Sequence, residues 1–456
     1  MNKSFWLFVA SLAVTPLSYP VETKTWVQNE KADFEKGTLK NLSLRSDGRL
    51  TLAPVFQQVF DSSVPYLWAL AVDSKGNLYT GGGGPGSSMA KLFAVDPSGK
   101  ARMLAELPGM QVQAIAIDRN DRVYAATAPD GKVYRVAQDG KYEEFYDPEA
   151  KYIWALQFNS KGDLFVATGD SGEIHRVTPD GKGDIFFRTE ETHARSLAMD
   201  AQDNLLVGTE PGGLIVRVTP SGEGFVLYQA AKREVTAVAV AKDGTIYAAA
   251  VGNKGPAPPP APARPAPAPT ATPRPVQTMP AAAKLAPLTG GPAQPARPPA
   301  PAVSIAGGSE VYRIGKDNYP QDVWSHPEDV VYTIGFDWQG RPIVGTGNRG
   351  NIYRIDSDIE STLLINAAAT QVTAFVSSGK GRLYAATGNI GRVYQIGPAY
   401  EKEGTYESEP FDVGSFAYWG RLHYRGTTDR GKLVFETHSG NLDRPQKNWS
   451  EWAAVD

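Results

Sequence analysis

The chain has 456 residues, with 46 glycines, 35 prolines, no cysteine and a formal net charge of −3. That length holds two domains or one large repeat domain. The near-neutral charge leaves no basic footprint for nucleic acid or an anionic membrane, and the lack of cysteine excludes disulfides, thiolate catalysis and cysteine-based zinc sites.

At the N-terminus Lys3 precedes an apolar run at residues 5–14. Ten residues are too few to span a bilayer but suit a signal-peptide core. Residues 1–20 are therefore read as a signal peptide. A periplasmic or secreted bacterial location follows, with no membrane association after cleavage. Residues 37–52, "GTLKNLSLRSDGRLTL", alternate like a β-hairpin.

An internal repeat follows. "WALAVDSKGNLY" (68–79) is echoed by "QAIAIDRNDRVY" (113–124), "WALQFNSKGDLF" (154–165), "RSLAMDAQDNLL" (195–206) and "TAVAVAKDGTIY" (236–247), then by "YTIGFDWQGRPI" (332–343) and "TAFVSSGKGRLY" (373–384). These are copies 1 to 7. Each reads as an apolar strand of period two, a turn on Gly or Asp, and a second strand. A third strand comes next in every copy, as in "KLFAV", "KVYRV" and "EIHRV", and a fourth, such as residues 141–146, leads into the next copy. The turn residues Asp121, Gly162, Asp203 and Gly244 lie 41 apart, as do Gly340 and Gly381. Four-stranded units of about 40 residues predict an all-β fold, a seven-bladed β-propeller over residues 54–397.

Ring closure is legible too. "FQQVFDSSVPYLW" (56–68) parallels "YEEFYDPEAKYIW" (142–154), so residues 56–60 form a fourth strand with no first three before it. Copy 7 lacks its fourth strand, and the N-terminal one is expected to complete that blade.

Two spacings depart from 41, namely 45 from Gly76 to Asp121 and 96 from Gly244 to Gly340. Both excesses fall between the second and third strands. The larger, at 253–307 in copy 5, is rich in proline and alanine, cannot pack a core and reads as a disordered insertion. The smaller holds "TGGGGPGSS", where Gly81, Gly83 and Gly86 match the G-x-G-x-x-G spacing of a dinucleotide loop. A strand follows it instead of a helix, so no nucleotide and no other cofactor is expected.

Beyond the ring, residues 398–456 read as strand-like with outward aromatics, a partial β-sandwich completed by the 37–52 hairpin or cut off at Asp456. "WSEW" (449–452) resembles the W-S-x-W element of extracellular β-modules.

The pattern A-[IVL]-A-x-D-x-x-G-x-[IVL]-Y-x-A-T-G followed by G-x-[IV]-Y-R-[IV] is similar to that of a broad propeller group. NHL-repeat proteins, the gluconolactonase/SMP-30-like family and two-component-regulator sensor propellers belong to it. The resemblance covers residues 50–397 and implies fold more than function. SMP-30-like members hold a divalent ion with carboxylates and an amide in the central channel.

Strand alternation places the starts of the innermost strands and both insertions on one face. The residue eight before each turn residue should ring the axis there: Trp68, Gln113, Trp154, Arg195, Thr236, Tyr332 and Thr373. Two positions earlier stand Tyr66, Gln111, Tyr152, His193, Glu234, Val330 and Gln371. Aromatic plates, amides and one guanidinium suit stacking and hydrogen bonding to a glycan, peptide or protein ligand. The bland alternative is that Trp68 and Trp154 wedge between blades, whereas Arg195 could anchor an anionic group.

Catalysis has less support. The ring offers Glu234 as its one carboxylate, whereas hard cations take several oxygen ligands, so no metal site is expected. Virginiamycin-lyase-like chemistry needs a histidine base beside a metal, and His193 stands beside Arg195 alone. No catalytic residue is assigned. Asp73, Asp118, Asp200 and Asp337 read as turn caps instead of calcium ligands. Arg135, Arg176, Arg217, Arg313 and Arg354 recur at one third-strand position and read as blade-to-blade contacts. The leading reading is an exported, non-catalytic binding or scaffold propeller. The alternatives are a metal-dependent hydrolase or lyase of the SMP-30-like kind and the sensor part of a larger signalling protein.

Overall fold

The computed structural model describes residues 23–254, 307–378, 381–414, 417–428, 431–441 and 448–455. The expected signal peptide and nearly all of the 253–307 insertion lie outside the described residues. Within them the chain is almost wholly β, with a single helical turn at Lys31–Phe34, and no helix is long and apolar enough to cross a membrane. Two compact units separate: 1–39 with 47–49 and 406–456, and 40–46 with 50–405.

The larger unit is built from antiparallel meanders, one per sequence copy. Copy 2 shows the plan, running through Gln111–Ile117, Val123–Ala128, Gly131–Val136 and Tyr142–Ala150. Its first strand alternates half-buried and buried residues, whereas its second, "VYAATA", is buried throughout and so is apolar or small at every position. The turn residues Gly76, Asp121, Gly162, Asp203, Gly244, Gly340 and Gly381 all have positive φ, between 59° and 93°. Glycine enters that region freely and aspartate tolerates it better than most. The two aspartates have a further cause. The Ser74 amide and hydroxyl donate to the Asp121 carboxylate at 2.9 and 2.7 Å. Ser160 grips Asp203 in the same way. Each aspartate thus fastens its sheet to the preceding one, which a glycine would not do.

The turn-capping reading of Asp73, Asp118, Asp200 and Asp337 agrees with their contacts. The Asp73 carboxylate accepts from the Lys75 and Asn77 amides at 3.0 and 2.8 Å, and Asp118, Asp200 and Asp337 accept from the corresponding amides.

Packing occurs between copies. Ala114, Tyr124 and Val133 of copy 2 meet Ile153, Leu164 and Val177 of copy 3 in one buried cluster. Comparable clusters join each further consecutive pair. Another, holding Leu67, Leu78 and Phe93 with Tyr384 and Val393, joins copy 7 to copy 1. Burying each such leucine stabilises by about 1.5–3 kcal/mol. The expected closing strand is in place: Pro54–Asp61 pairs with Arg392–Tyr400, with Phe56 opposite Ile396 and Phe60 opposite Val393. Among the described residues, the innermost strands contact one another in a closed cycle.

The glycine run acquires a steric reason. Gly81–Gly83 end the second strand of copy 1, and Gly83 pairs directly with Gln111 of copy 2. A Cβ on Gly82 would lie 1.8 Å from the Tyr66 carbonyl oxygen, and one on Gly83 would lie 2.0 Å from that of Met110. The glycines let two backbones meet.

The segments flanking the ring are more limited than expected among the described residues. The hairpin lies at Leu42–Arg45 and Leu50–Leu52, and it extends copy 6, where Leu44 pairs with Leu363. Leu44 is fully buried there and Ser43 donates to the Leu364 carbonyl at 2.9 Å, so the strand covers an otherwise open edge. Just before the hairpin, Thr38–Lys40 pairs with Thr405–Glu407. Beyond the ring no sandwich forms among the described residues. Strands there are limited to Thr405–Glu407, Glu436–Thr437 and Ala453–Ala454. Tyr418, Trp419 and Tyr424 are exposed, and so few residues cannot bury two sheet faces. The tryptophans of "WSEW" instead flank His438, which stacks on Trp452 at 3.7 Å.

Candidate functional site

The innermost strands Tyr66–Val72, Gln111–Ile117, Ile153–Phe158, His193–Met199, Lys232–Val240, Val331–Phe336 and Gln371–Ser377 carry the expected ring residues near their starts. Most of these side chains are half-buried. A regular offset links them. A ring residue reaches the position two before the ring in the next copy, which is 39 residues onward where the repeat is 41.

Three pairs follow that offset. The Trp154 indole N–H donates to His193 Nδ1 at 3.2 Å. Arg195 Nε donates to Glu234 Oε1 at 2.5 Å. Gln371 Nε2 donates to the Tyr332 hydroxyl at 3.4 Å. The Arg195 guanidinium also lies over the Trp154 ring, 3.9 Å from its centroid, and Tyr152 stacks on Trp154 at 5.2 Å. Trp154, His193, Arg195 and Glu234 thus form one connected group across copies 3, 4 and 5. Burial raises the Tyr332 phenol above its ordinary value, and the Glu234 carboxylate and Tyr66 add to the shift while Arg195 opposes it.

The rest of the ring behaves differently. Thr236 and Thr373 donate to the Val331 and Leu67 carbonyls of the following copies at 2.7 and 2.5 Å. Ser196 donates to the Val235 carbonyl at 3.1 Å. The two threonines therefore fasten sheets together, and their hydroxyl protons are committed. Gln113 accepts from Gln111 at 2.8 Å. Trp68 stacks on Tyr66 with centroids 5.2 Å apart and planes 7° apart, the same pairing that Trp154 makes with Tyr152. Yet the buried Trp68 Nε1 has no hydrogen-bond partner among the described residues, and neither has Gln371 Oε1.

Sequence reasoning missed the Arg195–Glu234 pair. Arg195 is thereby not a free anchor for an anion, because its charge is already balanced. The signal was present in the constant offset of 39. Sequence reasoning also missed a cleft of about 500 Å³ on the same face, bordered by the copy 6 and copy 7 loops with Asn348, Arg349, Asn366 and Asn389.

No protein-family model matches the chain, and no curated protein matches it. Solved structures do. Virginiamycin B lyase from Staphylococcus aureus is 13% identical over 75% of this chain and 98% of its own, with a TM-score of 0.54. A streptogramin B lyase is 11% identical over 76% of this chain and 98% of its own, with a TM-score of 0.53. The extracellular domain of a hybrid two-component system from B. thetaiotaomicron is 14% identical, with a TM-score of 0.51, and this chain covers 46% of it. All are β-propeller proteins. The fold is a β-propeller.

Within this propeller the recurrent arginines divide. Arg217 and Arg313 reach the next copy, at Asn318 (3.1 Å) and Asp358 (2.9 Å). Arg135, Arg176 and Arg354 bond inside their own sheets, to Glu143, Asp163 and Asp356. The uniform blade-to-blade expectation is thus corrected, because a carboxylate on the same sheet is nearer for these three. Among the described residues, no group of three His, Asp or Glu side chains is placed to hold a metal ion.

Proposed function

We propose that this chain is an exported, periplasmic or secreted propeller of seven four-stranded blades over residues 54–397, and that it binds or scaffolds without catalysing. The cyclic packing of the copies and the pairing of Pro54–Asp61 with Arg392–Tyr400 support the blade count. The working face is the one on which the innermost strands begin, and its ligand is a glycan, peptide or protein.

The observation that carries this reading is the Arg195–Glu234 bond. It commits the ring's one carboxylate to a guanidinium, whereas a hydrolytic metal needs several free oxygen ligands. The ring keeps half-buried aromatic surface, as binding sites do.

The test is elemental analysis of the purified full chain together with retention on glycan and peptide arrays. The expected result is retention that Trp68→Ala abolishes, with no stoichiometric divalent ion. A bound stoichiometric ion accompanied by turnover of a lactone would overturn the reading in favour of a metal-dependent hydrolase or lyase.

A further inference from the structure

We propose that the ligand is an uncharged oligosaccharide lying along a track from Trp68, over Tyr66 and Asn389, into the cleft between the copy 6 and copy 7 loops. The proposal rests on the binding reading above and adds the ligand's class and path.

Charge comes first. Two guanidiniums on this face, Arg195 in the ring and Arg349 at the cleft, are both paired among the described residues. Arg195 is paired with Glu234. Arg349, at the cleft wall, donates to Asp329 at 3.0 Å and has Glu328 at 3.6 Å. Asp329 is fully buried. Burial acts to raise its carboxyl, but bonds from Asn351, Tyr353 and Arg349 outweigh that and hold it below the ordinary carboxylate value. An anionic ligand would meet three carboxylates against two guanidiniums.

The unpaired hydrogen-bonding atoms come second. Trp68 Nε1 is a buried donor without an acceptor, and Gln371 Oε1 is a buried acceptor without a donor. Both flank Tyr66, which stacks on Trp68. Gln371 Oε1 and Tyr66 Cδ1 lie 2.7 and 2.9 Å from the point that a Cβ on Gly388 would occupy. A hydroxyl both donates and accepts, so adjacent sugar hydroxyls satisfy one atom of each kind. Buried polar atoms without partners are costly and point to a missing one.

The path comes third. The Tyr66 hydroxyl donates to Asn389 Oδ1 at 2.8 Å, which joins the ring to the cleft. The cleft is an open depression of about 500 Å³. Its wall is held in place, since Asn366 Nδ2 donates to the Arg349 carbonyl at 2.8 Å and to Asn351 Oδ1 at 2.9 Å. A peptide that binds by strand addition needs a free sheet edge. Here the recognising groups are rings and amides, and the outer edge of copy 6 already carries Leu42–Arg45.

The experiment is calorimetric titration of the full chain with cellohexaose, xylohexaose, mannohexaose and laminarihexaose, an oligogalacturonate hexamer and a decapeptide library. At least one neutral hexasaccharide is expected to bind, with affinity nearly unchanged by added salt. Trp68→Phe, which keeps a ring but removes the N–H, should weaken it about five- to tenfold. Asn389→Ala should weaken the hexasaccharide about fivefold and leave its disaccharide unaffected. Binding of the oligogalacturonate or of peptides, lost in Trp68→Phe, overturns the ligand class while the binding face stands. Binding unchanged in Trp68→Phe, or no binding to any probe, overturns both.

Discussion

Trp68 and Trp154 occupy the same position in copies 1 and 3, and each stacks on a tyrosine two residues earlier. Their surroundings differ. Trp154 gives its N–H to His193 and carries the Arg195 guanidinium on its ring. The residue corresponding to His193 beside Trp68 is Gln111, and its amide donates to Gln113 instead, leaving the Trp68 N–H unpaired. Identical sequence signals thus lead to one tryptophan that is bonded into the ring and one whose buried N–H is unpaired among the described residues. The neighbour in the next blade decides which is which.

The largest expected effect is on stability. Trp154→Ala should cost about 3 kcal/mol. Trp68→Ala should cost about 1–2 kcal/mol less, the difference being one hydrogen bond and one cation–π contact. Urea unfolding of both variants measures this, and equal costs would remove the distinction. Next comes the Arg195–Glu234 pair, whose side chains are 23% and 13% exposed. A double-mutant cycle to alanine should return a coupling of about 1–2 kcal/mol, and additive effects would show the bond to be idle.

A smaller effect comes from exchanging the deciding neighbour. Gln111→His should offer Trp68 an acceptor, stabilise the chain by up to about 1 kcal/mol and weaken oligosaccharide binding. His193→Gln should destabilise by a similar amount. If Gln111→His leaves both stability and binding unchanged, the neighbour does not decide.

The smallest effect sets His193 beside a second histidine with a different task. His175 is buried between copies, 2.8 Å from the Tyr146 hydroxyl through Nδ1, with Glu173 at 3.3 Å from Nε2. Burial lowers its pKa from the ordinary 6.5, although the Glu173 carboxylate pulls the other way and Arg188 adds a small push down. The unfolded chain therefore binds the proton more readily than the folded one. Stability contributed by neutral His175 is complete above pH 6.5 and falls as the pH drops below it. His175→Gln should flatten the fall in Tm between about pH 7 and pH 5, and an unchanged slope would contradict this.

The repeat was legible because each copy states its register twice, once through apolar alternation and once through a turn residue with positive φ, such as Gly162 or Asp203. The closing strand was legible because residues 56–68 match 142–154. The destination of the Leu42–Arg45 strand was not, since alternation says that one face is buried but not which open edge receives it. Of the site, the membership of the ring could be read from spacing. Its bonding could not be read from either set of positions alone, because Trp154–His193 and Arg195–Glu234 join a ring position to the earlier position of the next copy. The cleft beside Asn389 arises from loops of two copies, which carry no periodic signal.

The central claim is that the N–H of Trp68, and not that of Trp154, is left unpaired by the protein and is taken up by the ligand. Its most direct test follows the tryptophan indole N–H resonances of the full chain by NMR while the tightest-binding hexasaccharide is added. The Trp68 resonance, assigned from its loss in Trp68→Phe, should shift strongly while the Trp154 resonance stays in place. A stationary Trp68 resonance, or a shift confined to Trp154, would contradict the account.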